Sequence, residues 1–388
     1  MIIEPKIRGF ICTTAHPVGC ATNVQRQIDH VVVKGAIPAP HKRVLVLGCS
    51  TGYGLASRIV TTFGGGADTV GVSFEKAPSE GKTGSAGWYN NRAFEKRAIA
   101  AGRKAVTVEG DAFSDAIKAE AIEAIKANLG QVDLVVYSLA SPVRTDPKTG
   151  ETFRSAIKPF GAPVEAKTLN TATGEVSQVT IEPATEAEAA STVKVMGGED
   201  WQLWIDALAD AGVLADGFTT LNYTYLGSEL TWPIYHKGTL GVAKADLDRA
   251  AGEIRARFDD KTAYVVALKA VVTQASSAIP VVPLYGTLLL KVMDEMGVGE
   301  GCIEQIDRMF REKLENPSVD DAHRIRVDDW ELSDTVQAEM TRRWPLLTTE
   351  SLGALADLPK YRAEFLKLFG FGLGGVDYTQ DLDPTQPA

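Results

Sequence analysis

Tyr235 and Lys244 stand nine positions apart in Trp232-Pro233-Ile234-Tyr235-His236-Lys237-Gly238-Thr239-Leu240-Gly241-Val242-Ala243-Lys244. A phenol and an ammonium brought to one reacting oxygen can deliver a proton to it. A phenol near its reference pKa of about 10 is a useful acid only when its phenolate is stabilised, and a neighbouring ammonium does this electrostatically. One shared helix is excluded, because nine residues turn the azimuth by about 900° and advance roughly 13 Å, which sends the two side chains to opposite faces. Pro233, Gly238 and the cap-like Thr239 instead start a helix after Tyr235, and Leu240, Ala243, Leu247, Ala250 and Ile254 continue it at helical period. Tyr235 then sits on the preceding turn, free to fold back over a bound ring while Lys244 projects from the helix beneath. Read alone, the pair is equally compatible with a packing tyrosine and a surface lysine; a turn far upstream favours the chemistry.

That turn is Gly48-Cys49-Ser50-Thr51-Gly52-Tyr53-Gly54, which directly follows the apolar run Val44-Leu45-Val46-Leu47 and opens a helix. The run reads as a strand buried on both faces. Its glycines permit a tight turn and close backbone approach, while free N–H groups and the helix dipole meet a pyrophosphate, as a dinucleotide site requires. The second strand ends in Ser73-Phe74-Glu75. A carboxylate there accepts from both adenosine ribose hydroxyls and repels a 2′-phosphate, so Glu75 favours NADH over NADPH; the bland reading is a solvated strand-end carboxylate. Asp111-Ala112 and Leu139-Ala140 follow the third and fourth strands, at the carboxyl ends where such sheets bind ligands, and Asp111 is placed to accept from an adenine amino group. Thr273-Gln274-Ala275, after the sixth strand, suits a nicotinamide carboxamide or is a plain loop. Tyr225, ten residues before Tyr235, is a second phenol within reach of the same pocket or a strand aromatic on the sheet surface. His236 is an acid or a packing residue.

The elements that must position these residues alternate strand and helix from His41 onward, the signature of a parallel sheet with crossover helices and of a Rossmann-type doubly wound α/β fold. Strands read at Arg43–Leu47, Thr69–Ser73, Ala105–Glu109, Leu134–Tyr137, Thr219–Tyr225 and Tyr264–Leu268, and helices near Leu55–Phe63, Trp88–Ala101, Ser114–Leu129, Asp200–Ala211, Thr239–Phe258 and Leu284–Met296. Ahead of this core, Ile2–Thr13 alternates as an edge hairpin and Val24, Ile28, Val31 and Val32 mark a helix from about Cys20 to Lys34. We divide the single unit into a dinucleotide-binding and catalytic core at 41–300, an insertion at 141–199 and a helical extension at 301–388. The insertion carries a hairpin, Val164–Leu169 and Glu175–Ile181 around Thr171-Ala172-Thr173-Gly174. The chain ends in a Pro- and Gln-containing tail expected to be loose.

Composition narrows the function classes. With 388 residues and 45% hydrophobic content the chain can build a full core, and 50 acidic against 40 basic residues give a net charge of −10. That charge argues against nucleic acid and against an anionic membrane surface. The N-terminus lacks a signal-peptide pattern, and no segment is long and charge-free enough to span a bilayer, so the cytoplasm is expected. Cys12, Cys20, Cys49 and Cys302 are few and scattered, which fits a reducing compartment. Cys12, His16 and Cys20 would share a face if helical, but Pro17 and Gly19 break that helix; buried thiols and no metal are expected.

On these residues the chain resembles the trans-2-enoyl-CoA/acyl-carrier-protein reductases of the FabV type, relatives of the short-chain dehydrogenases. The likeness covers nearly the whole chain, through Ile7-Arg8-Gly9-Phe10-Ile11-Cys12, the Gly48–Gly54 turn, Thr83-Gly84-Ser85-Ala86-Gly87-Trp88-Tyr89-Asn90 and the Tyr-x8-Lys pair. The long spacing is its specific part, since ordinary short-chain dehydrogenases place three residues between tyrosine and lysine and other enoyl reductases six. The resemblance implies NADH contacts at Gly48, Cys49, Ser50, Thr51, Gly52, Tyr53, Phe74, Glu75, Asp111, Ala112, Leu139, Ala140, Lys244, Thr273, Gln274 and Ala275, substrate contact at Tyr225 and proton donation by Tyr235. It implies reduction of trans-2-enoyl thioesters on acyl carrier protein or coenzyme A, the final step of fatty acid elongation, by a monomer whose extra segments shape a substrate portal. An NAD-dependent ketone or alcohol dehydrogenase is the competing enzyme, and a catalytically silent NAD(H) sensor the competing class; the sensor expects a missing Tyr or Lys.

Overall fold

Every residue from Val44 to Leu47 is buried, as are Val70, Val72 and Leu134–Val136, and strands apolar on both faces need helices on both sides. A computed structural model, describing residues 1–9, 11–139 and 141–387, has that architecture. An antiparallel hairpin of β1 (Ile7–Arg8) and β2 (Ile11–Cys12) leads into α1 (Pro17–Val33). The alternating core follows as β3 (Arg43–Leu47), α2 (Gly52–Ile59), β4 (Asp68–Ser73), α3 (Ala86–Ala100), β5 (Ala105–Glu109), α4 (Asp115–Asn128) and β6 (Val132–Tyr137). An insertion then carries β7 (Val143–Thr145) with β8 (Thr152–Arg154), β9 (Val164–Asn170) with β10 (Glu175–Ile181), and α5 (Glu186–Met196). The core resumes through α6 (Glu199–Asp210), β11 (Leu214–Thr224), α7 (Thr239–Arg257), β12 (Ala263–Ala267), α8 (Gln274–Ser277), α9 (Val282–Glu295) and α10 (Cys302–Arg308). The chain closes with β13 (Arg324–Arg326), α11 (Asp334–Arg343), α12 (Leu352–Leu355) and α13 (Leu358–Lys367).

The seven strands of the main sheet run parallel in the order β13-β12-β11-β6-β3-β4-β5. Val44 and Val46 face a layer built from α1, α2, α3 and α10, while Leu45 and Leu47 face α4, α6 and α7. The strand order reverses between β3 and β6, so the crevice at their carboxyl ends is where a ligand is expected. Gly48 and Leu139 lie on its two lips.

The structure corrects four expectations. The first helix begins at Pro17, because a proline at the first helical position has no N–H to lose and the His16 imidazole caps it, accepting from the Gly19 N–H at 3.1 Å. The insertion holds a second hairpin and a helix, α5, capped by Thr185 and Glu188. The segment read as a helical extension contributes the seventh strand, β13, paired with β12. The tail is tied down: Tyr378 and Leu382 pack against Ile3, Phe369 and Phe371, the Met1 ammonium meets Asp381, and Tyr89 donates to the Pro384 carbonyl at 2.7 Å. The insertion and the extension also grip each other. Lys167 donates to the carbonyls of Trp344, Pro345 and Leu347, and Arg362 to those of Thr171 and Ala172.

Candidate active site

Gly48 leaves β3 with φ +82°, and a Cβ there would lie 2.2 Å from the Ser138 carbonyl oxygen and 3.2 Å from Leu139 Cδ2. Only glycine lets the two loops close this tightly. The chain then turns through Thr51, exposed and extended at the N-cap of α2, whose side chain makes no capping bond. Among the described residues the first N–H groups of α2 have no side-chain acceptor, which fits a helix start kept free for a pyrophosphate. Gly52, at φ +55°, has Thr273 as its nearest neighbour, 3.9 Å from where a Cβ would stand, so the first and the last of the expected cofactor segments meet here. Thr273 caps the short helix α8, and Gln274 and Ala275 are exposed beside it.

Glu75 accepts from the Ser50 hydroxyl at 2.6 Å and from the Ser85 hydroxyl, and its Oε1 would lie 2.1 Å from any Cβ on Gly87 in the first turn of α3. Burial pushes its pKa up, with the two serine hydroxyls acting against that rise. The carboxylate is thus fixed at the end of β4 where ribose hydroxyls would bind. Asp111 folds back on the Phe113 N–H at 3.0 Å. Several expected contacts point elsewhere. The Cys49 thiol is fully buried against Asn91 and Arg58, and its N–H is donated to the Val72 carbonyl at 3.2 Å, so neither faces a ligand. The Tyr53 hydroxyl reaches the Lys269 carbonyl at 2.9 Å and Gln305 Oε1 at 3.1 Å, and the Ala112 carbonyl accepts from Trp204 and Lys118. Phe74 is exposed, and Ala140 lies outside the described residues.

The helix bearing Lys244 starts at Thr239, as the spacing requires, and Tyr235 is locked to it through its carbonyl, which accepts from the Gly241 N–H at 3.0 Å. The Tyr235 ring is buried edge-on against Tyr225, with centroids 5.1 Å apart. Among the described residues no hydrogen bond joins Tyr235 to Lys244, and the Tyr235 hydroxyl has no partner. Burial moves the Tyr235 phenol upward, so it holds its proton. Lys244 is half-buried, and desolvation brings its ammonium down to about 8 against the pull of Asp248. Tyr225 directly follows β11, whose carboxyl end opens on the same edge of the sheet as that of β3, and Tyr235 packs on it.

Sequence reasoning missed the group behind them. Glu331, fully buried, accepts from Tyr225 at 3.1 Å, from Tyr285 at 2.6 Å and from the Ala270 N–H at 2.6 Å. Lys269, buried next to it, donates to the Ala270 and Glu300 carbonyls. Nothing in Asp328-Asp329-Trp330-Glu331 distinguishes this carboxylate from a solvated run of acids. Asn222 Nδ2, Thr224 Oγ1 and Ser228 Oγ are buried around the same strand end without a hydrogen-bond partner among the described residues.

Three family models match the chain: the NAD(P)H binding domain of trans-2-enoyl-CoA reductase over residues 2–80, the trans-2-enoyl-CoA reductase catalytic region over 82–315 and an enoyl reductase FAD binding domain over 319–382. The chain is similar to the enoyl-[acyl-carrier-protein] reductase [NADH] of Tolumonas auensis, 58% identical over 99% of this chain and 98% of that protein. It is also similar to the crystal structure of Treponema denticola trans-2-enoyl-CoA reductase in complex with NAD, 48% identical, covering 98% of each chain at a TM-score of 0.93. The Clostridium acetobutulicum trans-2-enoyl-CoA reductase in complex with NADH matches over 100% of both chains at 41% identity and a TM-score of 0.96. A flavin does not fit residues 319–382 by the same test that a dinucleotide passes at Gly48. Of their glycines, Gly353 lies within α12 and the others follow α13, none of them after a strand, and Gly370 serves close packing on α1, where a Cβ would lie 2.5 Å from the Cys20 nitrogen.

Proposed function

The chain belongs to the trans-2-enoyl-CoA reductase family, and from that premise we infer that it reduces the 2,3-double bond of trans-2-enoyl thioesters with NADH, the closing step of fatty acid elongation. The observation that carries this is the pair of phenols, Tyr225 and Tyr235, with ring centroids 5.1 Å apart at the carboxyl edge of a parallel sheet whose β3 ends in a turn where no Cβ fits at Gly48. When bound, NADH supplies a hydride for the β-carbon of the substrate. The residues that would hold it are the backbone of Gly48–Tyr53, Glu75 at the ribose, Asp111, Leu139, Lys244 and Thr273–Ala275. The fixed carboxylate of Glu75 supports NADH over NADPH, because a 2′-phosphate would meet a negative charge.

Tyr235 donates to the thioester oxygen as negative charge gathers there, and a proton delivered to the α-carbon completes saturation. A buried phenol that retains its proton is suited to that donation, and the Lys244 ammonium supports the charge left behind. Residues 41–300 serve as cofactor-binding and catalytic core. The insertion at 141–199 and the extension at 301–388, bound together through Lys167 and Arg362, shape the portal for the acyl chain. The acyl carrier is acyl carrier protein or coenzyme A. We read the protein as a cytoplasmic monomer on the family resemblance; among the described residues no helix is long and apolar enough to cross a membrane.

A ketone or alcohol dehydrogenase would use the same phenol and ammonium on a carbonyl. NADH oxidation with crotonyl-CoA against acetoacetyl-CoA separates the two. Stoichiometric butyryl-CoA from the first substrate, with little turnover of the second, is expected; turnover of acetoacetyl-CoA alone would replace this reading with the dehydrogenase.

A further inference from the structure

A phenol has one proton to donate, and for Tyr225 the taker is already present. Its hydroxyl lies 3.1 Å from Glu331 Oε1, the oxygen that also receives the Tyr285 hydroxyl at 2.6 Å, while Oε2 receives the Ala270 N–H at 2.6 Å. Three donors converge on one carboxylate that is 0% exposed, which is the satisfaction a buried acceptor needs. The carboxylate enters from the far end of the chain, on the loop after β13, while its donors come from the residue after β11, from α9 and from the segment after β12. Its own carbonyl is held by the Gln337 side-chain amide at 2.7 Å. This is a rigid arrangement, over-determined from four segments.

We propose that Glu331 is a positioning residue that holds Tyr225 with its hydroxyl proton turned away from the substrate, leaving Tyr235 as the sole phenol donating to the thioester oxygen. The proposal deepens the enoyl reductase reading and rests on it. Tyr225 then works as an oriented wall. Its ring, fixed through Glu331, meets the Tyr235 ring edge-on at an interplanar angle of 76° and sets where the one free phenol points. A Tyr225 proton directed at the substrate would instead leave Glu331 Oε1 with the Tyr285 hydroxyl alone, one donor fewer on a buried carboxylate. The line of action runs from the C-terminal extension through Glu331 and Tyr225 to Tyr235, so the extension is tied to the chemistry as well as to the portal.

Glu331→Gln tests this in two backgrounds, with crotonyl-CoA and NADH as reactants. In the wild type it should lower kcat roughly five- to fifty-fold with KM little changed, and in Tyr225→Phe it should add under about two-fold, because the path from Glu331 to the substrate is already cut. Equal losses in both backgrounds, or no loss in either, would overturn the proposal, since a carboxylate that only braces the fold acts regardless of Tyr225. A second readout needs no turnover: 3-fluorotyrosine placed at 225 should change its 19F resonance on Glu331→Gln in the substrate-free protein. Should Glu331→Gln not fold, Tyr285→Phe takes its place, because the two phenols share Oε1 and removing one must shift the 225 resonance; an unmoved resonance sinks the proposal. A wild type that leaves crotonyl-CoA untouched removes the functional reading while the fluorine measurement still judges the contact.

Discussion

The β3–β4–β5 side of the sheet and the β11–β12–β13 side end at one crevice, yet they are built for it in different ways. On the first side the ligand-facing end is shaped by backbone: Gly48 brings two loops to within a missing methyl of each other, and Gly87 leaves the space that Glu75 occupies. Behind them β3 is apolar on both faces, and the buried Arg58 guanidinium donates to the Thr69 and Thr107 hydroxyls and the Val106 carbonyl, away from the crevice. On the second side the crevice is lined by side chains and backed by buried charge. Glu331 and Lys269 lie there, Arg308 pairs with Glu300 at 2.7 Å behind them, and Asn222, Thr224 and Ser228 have side-chain groups without a partner among the described residues around the end of β11. Backbone donors and tight turns bind a constant ligand such as a dinucleotide, whereas reactive chemistry needs groups whose protonation and direction can be set. Lost contacts on the first side should therefore appear as stability and cofactor affinity, and on the second as turnover.

The sharpest way to break this contrast is Tyr235→Phe. Its hydroxyl has no partner in the protein among the described residues, so folding stability should change by less than about 1 kcal/mol while kcat falls by something like the 10²–10⁴-fold range for a lost acid. Steady-state turnover of crotonyl-CoA together with a urea melt measures both. A variant that turns over normally would dissolve the distinction, because the second side would then be as structural as the first.

Gly48→Ala probes the opposite pole. The new Cβ would stand 2.2 Å from the Ser138 carbonyl in a residue at φ +82°. Left-handed backbone for an L residue and overpacking against main chain together should lower stability by about 2–5 kcal/mol and weaken NADH binding in the same step. Urea unfolding and NADH fluorescence titration follow the two. Unchanged stability with a collapsed kcat would invert the contrast.

What was legible in the sequence follows the same division. Val44–Leu47 and Ala105–Glu109 are strands at the residues expected, because an apolar run bounded by glycine or polar turns admits few other structures. The Gly48 turn and the helix start between Tyr235 and Lys244 were equally readable, since each rests on local spacing, whereas the Ser50–Glu75 hydrogen bond joins two strand ends 25 residues apart and was not. The β13 strand is three residues long, Arg-Ile-Arg, and gains its place only by pairing with β12, which no local pattern announces. Glu331 is hidden for a related reason: burial of a carboxylate depends on donors 46 and 106 residues away, at Tyr285 and Tyr225. Pro17 and Gly19 were read as helix breakers although proline is at home in a first turn, so the rule applied there was the one for helix interiors. The tail's order is likewise tertiary, set by Ile3, Tyr89 and Asp381 meeting across the whole length of the chain.

The smallest expected effect, a displaced pH limb, refines the account of the second side. Desolvation holds the Lys244 ammonium down to about 8, and the one carboxylate opposing this, Asp248, is itself gripped by Arg324 at 2.9 Å. If the charged form supports the Tyr235 oxygen, kcat/KM is full below that value and declines as pH rises through it. Lys244→Arg keeps its charge across the whole range, so the decline should move above pH ~10 even as the forked guanidinium lowers the plateau. Linkage gives an independent check of sign. The folded pKa lies below the ordinary 10.5, so between about 8 and 10.5 the unfolded chain binds the proton that the folded one has released, and this group's contribution to stability rises with pH. Lys244→Arg should remove that rise as well as the kinetic limb. A limb that stays near 8 in Lys244→Arg would assign it to another group and leave Tyr235 without its cation.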